Sequence, residues 1–123
     1  MNVRFPYGKT HLSYDFDKAN LLTSSIEGYD PNLSEQALVE TAMAAPEGGI
    51  TLRELARDKQ KIVLIASDHT RPVPSKVIVP PMLRELRAGN PEADIANLIS
   101  TGCHRETTKD ELVSKFGPEI VAN

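Results

Sequence analysis

A single cysteine, Cys103, occurs in 123 residues, which excludes an intrachain disulfide and any paired-thiol metal site and suits a reducing compartment. Positive charge is in no surplus either. Fourteen Lys and Arg stand against 17 Asp and Glu, a net charge of -3, so no global field draws the chain to nucleic acid or anionic lipid. No stretch approaches the roughly 20 apolar residues of a membrane span, and the start Met1-Asn2-Val3-Arg4-Phe5-Pro6-Tyr7-Gly8-Lys9 has no apolar core of signal-peptide length. These absences point to a cytoplasmic protein whose partners are small molecules or other protein. Neither common Gly-rich phosphate loop is present: Gly48-Gly49 reads as a turn and Gly102 stands alone. Internal repeats and low-complexity tracts are also lacking.

Hydrophobic residues make up 40% and charged residues 25%, a soluble globular balance. The length is that of one domain, enough to bury roughly two-thirds of the surface the unfolded chain exposes. Residues 1 to 17 suggest a hairpin with Pro6-Tyr7-Gly8-Lys9 as its turn and Leu12, Tyr14 and Phe16 alternating along one strand face. Ser34 is placed to cap a helix through Ala37, Leu38, Thr41 and Ala42, which Pro46-Glu47-Gly48-Gly49 breaks. Thr51 caps a short helix through Leu52, Leu55 and Ala56. Lys61 to Ala66 is a continuous apolar run of strand length, and Ile95 to Ser100 is a second. Between them, Ser75 to Arg87 has helical spacing interrupted by Pro80-Pro81, read as one kinked helix that Gly89-Asn90-Pro91 terminates. Thr108 caps a last helix, Asp110 to Phe116, that stops at Gly117-Pro118. Strand, helix, strand, helix predicts an α/β fold: a parallel or mixed sheet with βαβ, Rossmann-like units. The two strands are expected to be parallel neighbours.

Open α/β folds place ligands beyond the carboxyl ends of their strands, and here both ends are rich in polar side chains. The first strand opens into Ser67-Asp68-His69-Thr70-Arg71-Pro72-Val73-Pro74, the second into Ser100-Thr101-Gly102-Cys103-His104-Arg105-Glu106-Thr107-Thr108. Pro72 restricts Arg71 to extended backbone, so its planar fork of donors stands on a stiff strut suited to a carboxylate, phosphate or developing oxyanion. The plainer alternative is that Arg71 pairs with Asp68. Asp68 itself has three readings: it orients Arg71, accepts from sugar hydroxyls, or caps the turn. His104, after the tight turn that Gly102 permits, has the chemistry of a general acid or base near neutral pH, though a lone histidine is more often a surface residue. His69 and His11 carry less weight. Cys103 is read as a buried structural thiol rather than a nucleophile, on the argument that neighbours on a strand face opposite ways. Lys109 with Glu106, Asp110 and Glu111 reads as a solvated first turn whose acids complement the helix dipole.

Taken together, Ser-Asp-His-Thr-Arg-Pro-Val-Pro (67 to 74), Thr-Gly-Cys-His-Arg-Glu-Thr-Thr-Lys-Asp-Glu-Leu (101 to 112) and the Tyr7-Gly8-Lys9 start resemble the N-terminal region of the nickel-pincer lactate racemase family. The resemblance covers nearly the whole chain. It implies interconversion of the stereoisomers of lactate or a related 2-hydroxy acid, with a nickel-bound pyridinium nucleotide as hydride acceptor. It further implies that His104 is one of two acid/base histidines, that Arg71 polarises the substrate oxygen, that Asp68 is a nearby active-site acid, and that Asp68 and Thr70 face the cofactor. The family's second catalytic histidine, its cofactor-linked lysine and its metal-ligand histidine have no counterpart before Asn123. The expectation is therefore an N-terminal part, residues 1 to 123, of a larger catalytic domain, which alone retains no nickel-pincer nucleotide and does not racemise lactate. A different reading is a non-catalytic module that binds a carboxylate or nucleotide, or docks on a separate chain.

Overall fold

The computed structural model describes residues 1–18, 22 and 24–122 and divides into two compact units, Met1–Asp30 and Pro31–Asn123. In the first, β1 (Asn2–Tyr7) and β2 (Thr10–Asp15) pair antiparallel from Asn2↔Asp15 to Tyr7↔Thr10. The turn is thus the two residues Gly8 and Lys9, with Gly8 at φ 58, where a glycine has no Cβ to clash. It is shorter than the four-residue turn expected, because Pro6 and Tyr7 remain in the strand opposite His11 and Thr10. A two-stranded ribbon has free edges, so a residue without an N–H costs no ladder bond there. Phe16, just past β2, meets Phe5 and Tyr14 edge-on, with ring centroids 6.4 and 4.9 Å away.

The second unit begins with α1 (Glu35–Ala44), whose first turn is capped by the Ser34 hydroxyl accepting from the Ala37 N–H. Next comes α2 (Leu52–Ala56), started by a reciprocal box in which Thr51 accepts from the Glu54 N–H and Glu54 accepts from the Thr51 N–H. Then β3 (Lys61–Ser67), α3 (Ser75–Gly89) and β4 (Asp94–Ser100) form a strand, helix, strand unit, with the two strands parallel in unbroken register from Lys61↔Asp94 to Ser67↔Ser100. The protein is accordingly mixed α/β, with one parallel and one antiparallel strand pair among the described residues. α3 runs continuously through Pro80 and Pro81, which deprive the Lys76 and Val77 carbonyls of their usual donors four residues on.

The small core of this unit gathers Ala56, Val79, Leu86, Ala93 and Phe116, all buried. Leu64 and Ile95 of the sheet share a cavity wall with Val79 and Leu83 of α3, so one face of the strand pair is covered by helix. On the other face Val63, Ile65 and Leu98 are 57%, 73% and 56% exposed. α3 ends tightly against α2: a Cβ added at Gly89 would lie 2.9 Å from the Arg53 carbonyl carbon and 3.0 Å from the Ala56 Cβ. α4 (Lys109–Phe116) ends at Gly117, which adopts φ 92. A helix not read from the sequence follows, α5 (Pro118–Ala122), in which proline occupies the first helical position, where its missing N–H is no loss.

Candidate functional site

Because β3 and β4 are parallel and end level, Ser67 opposite Ser100, the loops that leave them start side by side. Residues 36 apart in sequence are thereby brought into contact. Asp68 follows β3 directly and folds back on its own loop: Oδ1 accepts from the Thr70 backbone N–H at 3.1 Å and from the Thr70 hydroxyl at 2.7 Å. This short-range turn is the one aspartate characteristically makes. The loop from β4 turns at Thr101, whose carbonyl accepts from the His104 N–H at 3.0 Å while Gly102 takes φ 57. That turn presents His104 to the other loop, with Nδ1 2.6 Å from Asp68 Oδ2 and 3.3 Å from the Thr70 hydroxyl.

The electrostatics fix the direction of the short bond. Asp68 is 1% exposed, yet its carboxyl is lowered to about 2, first by the Thr70 hydroxyl, against the cost of burial, and then by His104 and the Thr70 N–H. At neutral pH it is therefore a carboxylate, which can only accept. The proton of the contact must sit on His104 Nδ1, and a neutral His104 then carries its free lone pair on Nε2. Nε2 has no hydrogen-bond partner among the described residues, and the His104 side chain is 43% exposed. A buried acid holding an imidazole so that its outer nitrogen faces solvent is the arrangement that makes a histidine a usable base.

Arg71 lines the same cleft of about 470 Å³ together with Ser67, Asp68, Thr101, Cys103 and His104. The alternative in which Arg71 pairs with Asp68 is not what the chain does: the carboxylate is taken by Thr70 and His104, and the guanidinium makes no hydrogen bond among the described residues. The Arg71 backbone is fixed on both sides, its N–H donating to Asp68 O and its carbonyl accepting from Lys115 Nζ at 2.9 Å. His69 points away from that cleft, toward Thr107, whose hydroxyl lies 3.1 Å from Nδ1, and toward Glu111. His11 lies in β2, in the other unit, beside Arg4 at 3.2 Å.

Two expectations are corrected. Cys103 is exposed, not buried. The strand alternation used to bury it no longer applies, because β4 ends at Ser100 and Cys103 belongs to the turn. Glu111 is likewise no free surface acid: both its oxygens are held by Arg105, at 2.6 and 2.9 Å, and one also accepts from the Thr108 N–H at 2.9 Å. The signal was in the sequence, since Thr108-x-x-Glu111 has the spacing of a reciprocal helix cap. Ser67 also belongs to the site, with no signal in the sequence to single it out. Its hydroxyl oxygen is buried in the wall of the cleft with no hydrogen-bond partner among the described residues.

Comparison with known proteins decides the family. Residues 7–123 match the model of the lactate racemase N-terminal domain. The chain belongs to that family. Over nearly its whole length it is 42% identical to a lactate racemase of Thermoanaerobacterium thermosaccharolyticum and 46% identical to one of Lactiplantibacillus plantarum. It spans 29% of the length of each of these relatives. A solved structure of the lactate racemase apoprotein from T. thermosaccharolyticum aligns with the entire chain at a TM-score of 0.80 and 40% identity, covering 28% of that chain. Among the described residues, no helix is long and apolar enough to cross a membrane.

Proposed function

We propose that this chain serves as the N-terminal domain of a 2-hydroxy-acid racemase or epimerase, with lactate as the leading substrate, and supplies one of its two acid/base histidines. The observation that carries this reading is the 2.6 Å contact between the buried Asp68 carboxylate and His104 Nδ1, with Arg71 on the same cleft. Inverting a 2-hydroxy acid through its keto acid requires loss of the hydroxyl proton and of hydride from the carbon, then return of hydride to the opposite face and of the proton to oxygen. His104 Nε2 takes the proton from, or returns it to, the oxygen of one stereoisomer, as one of the two acid/base histidines that the resemblance implies. Arg71 directs its guanidinium at the substrate oxygen, where two convergent donors stabilise charge better than a point cation. Asp68 keeps the imidazole oriented and its outer nitrogen available.

The hydride half needs an acceptor, and no side chain of this segment is one. The resemblance implies a nickel-pincer nucleotide for that role. Among the described residues there is no group of three His, Cys, Asp or Glu side chains able to hold a metal. Asp68 and Thr70, which hydrogen-bond to each other beside His104, are the residues of this segment that would face the cofactor. The further partner is the remainder of a racemase. In support, a parallel strand pair is normally covered on both faces, and here Val63, Ile65 and Leu98 leave one face open.

The test is exchange of lactate stereoisomers, followed by chiral chromatography, in a cofactor-loaded lactate racemase carrying this segment as its N-terminal domain. His104→Ala lowers turnover by roughly a hundredfold or more. Undiminished turnover removes His104 from the chemistry and leaves the chain a binding or docking module. The 123-residue chain alone is expected neither to retain stoichiometric nickel nor to racemise lactate.

A further inference from the structure

The loop that carries His104 is long, runs from Thr101 to Thr108 with no regular structure, and must nevertheless hold an imidazole at 2.6 Å from a buried acid. Two side-chain contacts anchor it. The residue after His104, Arg105, reaches the first turn of α4 and makes a two-pronged ion pair with Glu111, Nη1 to Oε2 at 2.9 Å and Nη2 to Oε1 at 2.6 Å, while also donating to the Glu106 carbonyl. Nearer the helix, Thr107 is buried and its hydroxyl lies 3.1 Å from His69 Nδ1, and His69 is the immediate neighbour of Asp68. Glu111 also faces His69 Nε2 at 3.6 Å. One carboxylate therefore touches both loops of the site: the β4 loop through Arg105 and Thr108, the β3 loop through His69. It sits in the first turn of a helix whose far end is buried at Phe116, so it is tied to the core.

We propose that Glu111 is a positioning residue which, through Arg105, holds the His104 loop in register with Asp68. Its oxygens never reach the cleft. Its effect on the site is exerted through the backbone of residues 104 to 108. An exposed ion pair contributes little to stability as a rule, but the geometry here is bidentate and shares its acid with a helix cap, which restricts both partners to one arrangement. Loss of either partner frees the loop and lets His104 leave Asp68, after which the proton on Nδ1 has no acceptor to keep it there.

The inference rests on the proposed role of His104, but its test reads the imidazole directly and is independent of racemase activity. In the 15N-labelled 123-residue chain, at a pH where imidazoles are neutral, the ring nitrogen shifts report the fraction of His104 carrying its proton on Nδ1. In both Glu111→Gln and Arg105→Ala that fraction falls by about threefold or more, as expected when the bound geometry ceases to be the dominant population. Arg105→Lys, which keeps the charge and loses the fork, recovers part of it. Thr51→Ala removes a helix cap from α2, away from the site, and leaves His104 unchanged. The Arg105 side chain is 60% exposed, so its variants fold even where Glu111→Gln does not. A His104 signal that stays at the parental value in folded Arg105→Ala, or that moves equally in Thr51→Ala, overturns the proposal.

Discussion

Replacing Asp68 by asparagine changes one oxygen for an amide and almost no volume, and the structure specifies what that exchange does. Oδ1 accepts twice from Thr70, at 3.1 and 2.7 Å, so an introduced side chain keeps its carbonyl oxygen there and preserves the turn. The amide nitrogen is then forced into the place of Oδ2, 2.6 Å from His104 Nδ1. Two N–H donors cannot share that distance. Either His104 gives up the Nδ1 proton and carries it on Nε2, or the ring swings out of contact; in both cases the outer nitrogen ceases to be an oriented base. The same exchange in a serine-protease triad costs about 10⁴ in turnover with the geometry otherwise intact. His104 is partly exposed here, which softens the penalty, and a loss of about 10² to 10⁴ in racemisation is expected for Asp68→Asn.

The cause is measurable apart from the rate. Ring nitrogen shifts in the 15N-labelled chain show whether neutral His104 holds its proton on Nδ1 in the parent and loses it in Asp68→Asn. A variant that keeps the parental tautomer refutes the argument that the acid orients the base. A variant that shifts the tautomer but not the rate refutes only the catalytic use of Nε2. Thermal melting of both proteins separates these outcomes from simple unfolding.

Three further outcomes are expected. Stability has an acid limb: Asp68 is lowered to about 2, first by Thr70, and Glu111 is held well below its usual range, first by Arg105, so the stabilisation is complete above the ordinary carboxylate range and disappears as pH falls from about 4.5 toward 2. Urea midpoints measured across that window decline steeply for the parent and less so for Asp68→Asn; equal slopes contradict the assigned shift. Gly89→Ala adds a Cβ 2.9 Å from the Arg53 carbonyl carbon at the α2–α3 contact, and overpacking of about 1–3 kcal/mol outweighs alanine's roughly 1 kcal/mol helix advantage, so calorimetry shows a lower Tm. Arg71→Lys keeps the charge without the fork and lowers turnover by about tenfold or more at unchanged Tm, whereas an unaffected rate assigns Arg71 to charge alone.

What the sequence made legible was whatever is encoded over a few residues. Ser34, Thr51 and Thr108 each mark a helix start because the cap hydroxyl and the N–H it accepts from lie three residues apart, and all three caps are present. The strands at 61 and 94 were visible as apolar runs, and their parallel pairing followed from the helix-length connection. Cys103 is exposed because strand alternation holds only as far as Ser100, the strand end already legible in the sequence, and says nothing about a residue in the turn beyond it. α5 was missed because Gly117-Pro118 is equally a stop signal and a start signal, and only packing chooses between them.

The site divides along the same line. That Asp68, Arg71 and His104 sit at strand ends is local information, and it was enough to nominate them. Which atoms meet is not local: it depends on the level register of Ser67 with Ser100, on the 2.7 Å Thr70 bond that turns the Asp68 carboxylate toward the neighbouring loop, and on Glu111 gripping Arg105. A change of one residue in the β3/β4 register would shift His104 by a strand rise of about 3.3 Å, well beyond the reach of a hydrogen bond, with every nominated residue still present. The chemistry therefore belongs to the pairing as much as to the residues. Loop variants that leave Asp68 and His104 untouched, Arg105→Ala among them, are expected to weaken their contact, as the His104 ring nitrogen shifts report.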